Sequence, residues 1–540
     1  MSASGTERRM SIFEELRRAL PEQLPPYLAR QRWFGGKARK IRSTEIADLV
    51  PLQTGELDAF LLLARVEYET GRDETYVLPM FLAEASSAEA GNQEASLQVP
   101  AFGHNQQFIV ADALKNESFL KWLLDAIEVQ LVSHGINGDI GASYTKVFQD
   151  VRSSKGVLAP KLIDAEQSNS SIVYGDSLIL KFFRRLEEGV NPDLEIGLFL
   201  TEKTHFHSSP PVAGSIEYAA EAGTSSTVAI LQGFIPNQGD AWRFTLDSVA
   251  SFWEELAKLP DAVPPEPSVP AETVQGYDQD LPPIASDLIG SYLGKTRVLG
   301  KRTAELHLAL ASDSSDPAFA PEPYTPSFQQ DFERSTRALT ERTFGLLRQK
   351  RADLPDELRN QAEIIINAES RILQEFQSIA NIHGGLRTRI HGDYHLGQVL
   401  YTGSDFAIID FEGEPARPLS ERRLKRSPLQ DVAGMVRSFH YAAFAHLLAP
   451  QDGPSLPQKD LHKVTLWAET WYSWVTFRFL KSYFANAQSG FFLPTNREEI
   501  SSLLRIHLLE KAVYELGYEL NNRPAWVAIP LAGISRLLAQ

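Results

Sequence analysis

The apolar rhythm of this chain changes once along its length, and that change bounds what it can fold into. Through roughly the first 240 residues, apolar side chains come in short β-type runs, FLLLARVEYE (60–69), ETYVLPMFLA (74–83) and SSIVYGDSLILKFF (170–183), separated by Gly, Asp and Asn turns. From about residue 286 the period becomes helical, as in GKTRVLGKRTAELHLALA (294–311) and LHKVTLWAETWYSWVTFRFLKSYFA (461–485). Between them, residues 260–285 are rich in Pro, Ala, Asp and Glu and read as an extended insert outside any core. The pattern predicts an α+β chain in three parts: a β-rich region over 1–140, a smaller strand–helix lobe over 141–245, and a large, mostly α-helical lobe over 246–540. At 540 residues the chain needs several packed units in any case.

Within the β-rich half, Gly175-Asp176 joins two runs and predicts a hairpin. It feeds NPDLEIGLFLTE, where Asn191 can cap a helix and Pro192 can take its first position. Farther upstream, LPEQLPPYLARQRWFGGKARKI predicts a packed entry helix, broken by the aromatic-glycine turn at Trp33–Gly36.

One stretch of the helical half is not helical: RTRIHGDYHLGQVLYTGSDFAIIDFEGEP (387–415). A β-run ends at His391-Gly392-Asp393, a short loop reaches Gln398, and a hairpin delivers Asp410. Two carboxylates and an amide on neighbouring loops are the side chains phosphoryl transfer requires. Asp393 can accept the proton of a substrate hydroxyl, and Gln398 and Asp410 can hold magnesium and, through it, nucleotide phosphates. The amide follows the base by five positions, as in the kinase catalytic loop H-R-D-L-x-x-x-N, and Asp410-Phe411-Glu412 stands where such proteins carry Asp-Phe-Gly. Gln replaces the usual Asn at 398, one methylene longer with the same oxygen ligand.

The same template needs a lysine on an upstream strand and a carboxylate on the next helix. Lys181 lies in the apolar run LILKFF, where an unpaired ammonium would be costly, and Glu195 follows fourteen residues later. The Ser/Asn-rich loop Gln167–Ser171, with Ser168, Asn169 and Ser170, offers backbone donors for phosphates, and Gln232 joins the nucleotide set. The chain is therefore expected to have a bilobal protein-kinase-like fold, using ATP and Mg²⁺.

Composition removes other chemistries. The absence of cysteine excludes disulfides, thiolate zinc sites and cysteine nucleophiles. A net charge of −16 repels a nucleic-acid backbone, and the one dense basic cluster near the motif, Arg422, Arg423, Lys425 and Arg426, reads as a solvated loop. No apolar run is long enough for a membrane span, and the charged start MSASGTERRM lacks a secretory signal, so the expected address is cytoplasmic.

HGDYHLGQVL together with IDFEGEPARPLSERRLKRSPLQDVAGMVRSF (409–439) resembles the catalytic signature of bacterial maltokinases, of the aminoglycoside-phosphotransferase-like branch of the kinase fold. RQRWFGGKARKI resembles their N-terminal cap, LILKFFRRLEEGVNPDLEIG their small lobe, and LEKAVYELGYELNNRPAWVAIPL their C-terminal end. The resemblance implies transfer of the ATP γ-phosphate to the anomeric hydroxyl of maltose. Maltose 1-phosphate is a donor in α-glucan and glycogen synthesis, and trehalose synthase is an implied partner. It also implies Asp393 as base, Gln398 and Asp410 as metal ligands, and Lys181 with Glu195 as the phosphate-orienting pair. For the sugar, carboxylates and flat aromatic faces are offered by Glu412, Tyr514, Tyr518, Glu519, Asn522, Arg523 and Trp526, with His391 and His395 beside the catalytic loop. The rival expectations are a kinase for another sugar, an amino sugar such as glucosamine or an aminoglycoside, and a kinase-like scaffold without transfer activity.

Overall fold

The computed structural model of the chain describes residues 13–55, 57–84, 96–99, 108–163, 169–221, 223–259, 261–265, 280–448 and 461–539. Most of the Pro-rich insert, the first twelve residues and Ser168 lie outside the described residues. The chain divides into two compact units, Met1–Thr201 with Pro210–Pro236, and Glu202–Ser209 with Asn237–Gln540. Among the described residues, no helix is long and apolar enough to cross a membrane.

The first unit is built on two antiparallel sheets. β1 (Ile41–Pro51), β2 (Asp58–Tyr68), β3 (Glu74–Glu84), β4 (Leu97–Val99) and β5 (Phe108–Asp112) form the first, in the order β1-β2-β3-β5-β4. FLLLA in β2 is apolar at consecutive positions because the strand is covered on both faces. Phe60, Leu62 and Ala64 enter one core with Leu24, Leu28 and Trp33 of the entry segment, whose helix is Leu24–Arg30. Ala59, Leu61 and Leu63 enter a second core with Leu123, Phe148 and Phe182. Each buried leucine contributes about 1.5–3 kcal/mol, so a charge at Leu62 would break the first core.

The second sheet contains β6 (Val132–His134), β7 (Gly138–Tyr144), β8 (Pro160–Ile163), β9 (Asn169–Tyr174) and β10 (Leu178–Phe183). The two-residue β11 (Arg185–Leu186) crosses to pair with β3, and β12 (Val212–Ala220) and β13 (Ser225–Gly233) complete the order β6-β7-β12-β13-β10-β9-β8. The hairpin at Gly175 forms with a three-residue turn, since Tyr174 pairs with Leu178 and Gly175 supplies φ +61°. Between the sheets, the buried Arg184 guanidinium donates to Asp112 (2.7 Å) and Ser170 (2.9 Å) under the Trp33 ring.

Among its described residues, the second unit is helical apart from two two-stranded ribbons. Its principal helices are Ala241–Ala257, Tyr292–Leu310, Pro326–Lys350, Leu429–Leu448, Leu461–Ala487, Arg497–Asn522 and Ala528–Ala539. Trp467 and Trp471 are fully buried, and Trp471 stacks on Tyr292. The Tyr292–Leu310 helix passes close to Leu461–Ala487 because Gly300 leaves room: a Cβ there would meet the Phe479 carbonyl at 2.4 Å. The ribbons are β14 (Glu322–Pro323) with β15 (Leu386–Arg387), and β16 (Val399–Tyr401) with β17 (Phe406–Ile408), the expected YTGSDFAI hairpin.

The basic cluster departs from the solvated loop expected of it. Lys425 is buried and donates to Glu322 (2.8 Å) and the Pro317 carbonyl (2.7 Å). Burial, with Arg417 nearby, holds the Arg426 guanidinium down to about 10, and its backbone pairs with Thr388. Partners supplied from residues a hundred positions upstream turn a charge run into structure.

Candidate active site

One helix face holds the HGDYHLGQ loop. Asp431, Gly434 and Ser438 lie three and four residues apart on the Leu429–Leu448 helix, so they share a face. Asp431 accepts from the backbone amides of His391 (2.8 Å) and Gly392 (2.9 Å). Gly434 brings the helix against the Tyr394 carbonyl, where a Cβ would lie 2.5 Å away, and Ser438 accepts from Leu396 N (3.2 Å). Asp431 also meets His307 Nε2 at 3.1 Å, and His307 Nδ1 meets the Tyr483 hydroxyl at 2.9 Å. Burial alone would push the Asp431 carboxyl up; His307, His391 and the Gly392 amide outweigh it and hold it below its ordinary value.

On the loop so anchored, the Asp393 carboxylate is 3.3 Å from Lys511 Nζ and 3.8 Å from His395 Nε2. Lys511 lies 3.6 Å from Glu414 as well, and Tyr514 donates to Glu414 at 2.8 Å. Burial would lower the Lys511 ammonium, but Asp393, Glu414 and Glu515 hold it above its usual value, so it stays charged. The His395 ring is held below its ordinary value, chiefly by burial and secondarily by Lys511 and His391, against the pull of Asp393. Its Nδ1 accepts from Gly397 N.

Gln398 and Asp410 come together as the hairpin predicts, Gln398 Nε2 donating to Asp410 Oδ2 at 2.8 Å. Asp410 takes φ +66°, a left-handed conformation that Asp tolerates better than most residues and that marks functional turns. A carboxylate beside an amide is an all-oxygen donor set, which fits a hard divalent cation such as Mg²⁺. His391 joins this turn to the catalytic loop: its Nε2 meets the Ile409 carbonyl at 2.9 Å, its Nδ1 accepts from Asp393 N, and its ring packs on buried Phe411.

Asp393 opens on a cleft of about 700 Å³, also lined by His395, Tyr514, Tyr518, Glu519, Arg523 and Trp526 of the expected sugar set. Glu519 is 1% exposed and accepts both Arg523 Nε (3.0 Å) and Nη2 (2.6 Å), together with the Tyr441 hydroxyl. Trp526 stacks on Tyr441, and Arg523 lies over the Trp526 ring. Three expected sugar residues are placed elsewhere. His391 is 1% exposed and engaged beneath the loop. Asn522 is exposed and donates back to the Tyr518 carbonyl. Glu412 sits half-buried in the turn after Asp410, away from the lining.

In the strand-rich unit, Lys181 sits on β10 between Ser171 of β9 and Ile230 of β13. Its ammonium lies 3.4 Å from Asp193, which is 1% exposed in the first turn of the Pro192–Lys203 helix; Glu195 is half-buried in the same turn. Asn191 Oδ1 accepts from Asp193 N, the cap its sequence promised. The segment expected as a phosphate loop differs: Asn169 and Ser170 belong to β9, and Ser170 is buried on Arg184. Gln232 is half-buried on β13, opposite Ile179 and Val212.

Sequence reasoning missed Asp431, His307, Lys511, Glu414 and Asp193. Lys511 had a signal, one helical turn before Tyr514 and Glu515 on the same face; His307 had none, being one more histidine in an amphipathic helix.

A strand-borne lysine beside a helix-borne carboxylate, and a catalytic loop followed by a metal-competent turn, define a kinase fold of α+β class with a strand-rich N-terminal and a helical C-terminal part. The chain superposes on a glucosamine kinase in complex with glucosamine, ADP and inorganic phosphate with a TM-score of 0.61, covering 95% of this chain and 98% of that one at 17% identity. It is 23% identical over 382 residues to a glucosamine kinase of Mycolicibacterium smegmatis, covering 70% of this chain and 79% of the relative. To a glucosamine kinase of Streptacidiphilus jiangxiensis it is 22% identical over 380 residues, covering 70% and 73%. Residues 27–116 match the maltokinase N-terminal cap domain. The chain thus carries a maltokinase-type N-terminal cap and the fold of a glucosamine kinase, and it is an ATP-dependent sugar kinase.

Proposed function

We propose that this protein phosphorylates maltose at its anomeric hydroxyl, giving maltose 1-phosphate and ADP. The observation that carries transfer chemistry is the placement of Asp393 on the wall of an aromatic, carboxylate-lined cleft large enough for a sugar. The maltokinase-type cap over 27–116 supports maltose as the sugar. In this reading the sugar hydroxyl oxygen attacks the γ-phosphorus, its proton passes to Asp393, and the bond from the γ-phosphorus to the β,γ-bridging oxygen breaks to release ADP. Tyr514, Tyr518 and Trp526 present flat faces to pyranose rings, and Glu519 fixes Arg523 at the rim.

Gln398 and Asp410 are the residues that would hold Mg²⁺, which when bound neutralises phosphate oxygens. In the strand-rich unit Lys181 would orient the nucleotide phosphates, itself steadied by Asp193, with Glu195, Asn169, Ser170 and Gln232 as further nucleotide-side positions. The domain roles follow as part of the same proposal: cap over 1–140, small lobe over 141–245 and acceptor lobe over 246–540. A cytoplasmic address, a place in glycogen or α-glucan synthesis, and association with trehalose synthase belong to it too.

A second reading, transfer to glucosamine, is favoured by the named activity of the relatives, and an ammonium would suit Glu414 and Glu515 along the cleft. Mg²⁺-ATP turnover against maltose, glucose, glucosamine, trehalose and kanamycin, with the product identified by NMR, decides between them. A maltose-dependent anomeric phosphate supports the first reading; turnover confined to glucosamine replaces it with the second; no turnover with any sugar removes both.

A further inference from the structure

The Leu429–Leu448 helix, which holds the catalytic loop through Asp431, Gly434 and Ser438, makes a second set of contacts from the neighbouring face. Arg437, His440 and Tyr441 lie three and four residues apart there. Two of them reach the wall of the acceptor cleft, where Glu515 and Glu519 stand one turn apart on the Arg497–Asn522 helix. Tyr441 donates to Glu519 at 3.1 Å. Arg437 is 3% exposed, and its Nε and Nη2 donate to one and the same oxygen of Glu515, Oε2, at 2.8 and 2.7 Å. A ligand in the cleft is therefore offered the other oxygen, Oε1.

Arg437 is seated from the far side as well. Its Nη1 lies 3.1 Å from His440 Nδ1, and because a guanidinium only donates, Nδ1 is the acceptor. The neutral His440 ring then carries its proton on Nε2, 3.8 Å from the Glu469 carboxylate, and Glu469 pairs with Arg536 of the Ala528–Ala539 helix. Burial first, and Arg437 after it, bring the His440 ring down to about 4, so it stays neutral and keeps its lone pair for Arg437. Gly533 of the Ala528–Ala539 helix leaves the guanidinium its space, since a Cβ there would lie 2.1 Å from Nη1. Burial would lower the Arg437 guanidinium too, but Glu515 and Tyr441 hold it above its ordinary value, and the charge survives inside the unit.

We propose that Arg437 is a positioning residue for the acceptor: seated by His440 and by the gap at Gly533, it fixes Glu515 so that Oε1 accepts a hydrogen bond from the bound sugar. The proposal rests on the sugar-kinase reading above and adds to it a residue that orients the sugar without touching it. Arg437→Lys keeps the charge but loses the fork, because an ammonium is a point donor and cannot hold one oxygen with two rigidly placed N–H groups. Gly533→Ala changes nothing on the cleft wall and crowds Nη1 from behind.

The test is steady-state turnover with Mg²⁺-ATP on the best acceptor of the panel above, in the full-length protein and four variants: Arg437→Lys, Gly533→Ala, Glu515→Gln, and Arg437→Lys combined with Glu515→Gln. Arg437→Lys and Gly533→Ala each raise KM for the sugar about tenfold, with kcat and KM for ATP within about twofold of wild type. Glu515→Gln raises KM for the sugar to a similar extent, and adding Arg437→Lys to it changes that KM by less than about twofold, because both substitutions remove one interaction. An unmoved KM for the sugar in both Arg437→Lys and Gly533→Ala, equal rises in KM for sugar and for ATP, or effects of Arg437→Lys and Glu515→Gln that multiply when combined overturn the proposal and leave the kinase reading standing. A wild type that transfers to no acceptor removes the kinase reading, and this proposal with it.

Discussion

Asp48 and Asp431 are buried carboxylates in different units, and both use their charge on backbone amides. Asp48, at the end of the polar half of β1, accepts from Leu49, Ile136 and Asn137 N and from the Tyr218 hydroxyl. It ties the first sheet to the β6–β7 turn and β12 of the second. Asp431 accepts from His391 and Gly392 N and from His307, tying a helix to the loop that carries Asp393. The physical device is the same: a desolvated charge made tolerable by several donors at once. The difference lies in what the donors belong to. Removing one should loosen a scaffold; removing the other should displace the proposed base, Asp393.

Five substitutions sharpen or break that comparison. Asp393→Asn, which touches neither anchor, sets the upper bound: transfer falls by about 10³-fold or more with ATP affinity near normal, and substantial residual turnover would take Asp393 out of its role. Asp431→Asn keeps the shape but turns one donor face toward an amide it should accept from. It is expected to cost about 2–4 kcal/mol in urea unfolding and to lower kcat on the best sugar about 10²-fold. Asp48→Asn should cost a similar ~2–4 kcal/mol while kcat of the folded protein stays within about twofold; a comparable fall in kcat for both variants would dissolve the distinction.

Glu510 offers a third buried carboxylate, held by side chains instead of amides. Burial raises it, but His507, Arg417 and Arg426 bring it down to about 2 from 4.5. Its folded value lies below its unfolded one, so between these values the unfolded chain binds more protons, and the stability it contributes is lost as pH falls through that window. Glu510→Gln should remove about 3 kcal/mol of the acid dependence between pH 5 and 2, read from urea midpoints. The smallest effect is expected at Asp193→Asn, which removes one partner of Lys181 and raises KM for ATP about tenfold; an unchanged KM would leave the orienting role with Glu195.

The fold class was legible because it follows from period. Alternation and short apolar runs specify strands, i+3 and i+4 recurrence specifies helices, and neither depends on distant partners. The catalytic loop was legible for a similar reason: Asp393, Gln398 and Asp410 lie within eighteen residues, joined by one hairpin whose geometry is local. Asn191 and Pro192 announced their helix in the same way. Where the reading failed, the deciding partner was remote. Ser170 looked like a loop residue until Arg184 and Asp112 buried it. Lys425 looked solvated until Glu322 and Pro317 closed over it. Asp193 beside Lys181 was not foreseen, because the direction a side chain takes off the first helical turn depends on how that helix docks on the sheet.

The sequence by itself determined that the chain is strand-rich first and helical after, and it placed the HGDYHLGQ loop whose side chains the proposed transfer uses. Tertiary structure alone decided that Asp431 and His307 would hold that loop, that Lys511 would sit on Asp393 from 118 residues away, and that His391 would serve the loops and not the cleft. The division has a physical cause. Backbone periodicity and turn chemistry act over a few residues, whereas burying a charge is a collective matter: Asp431 is stable only where three donors from two other segments converge, and no local pattern encodes that convergence.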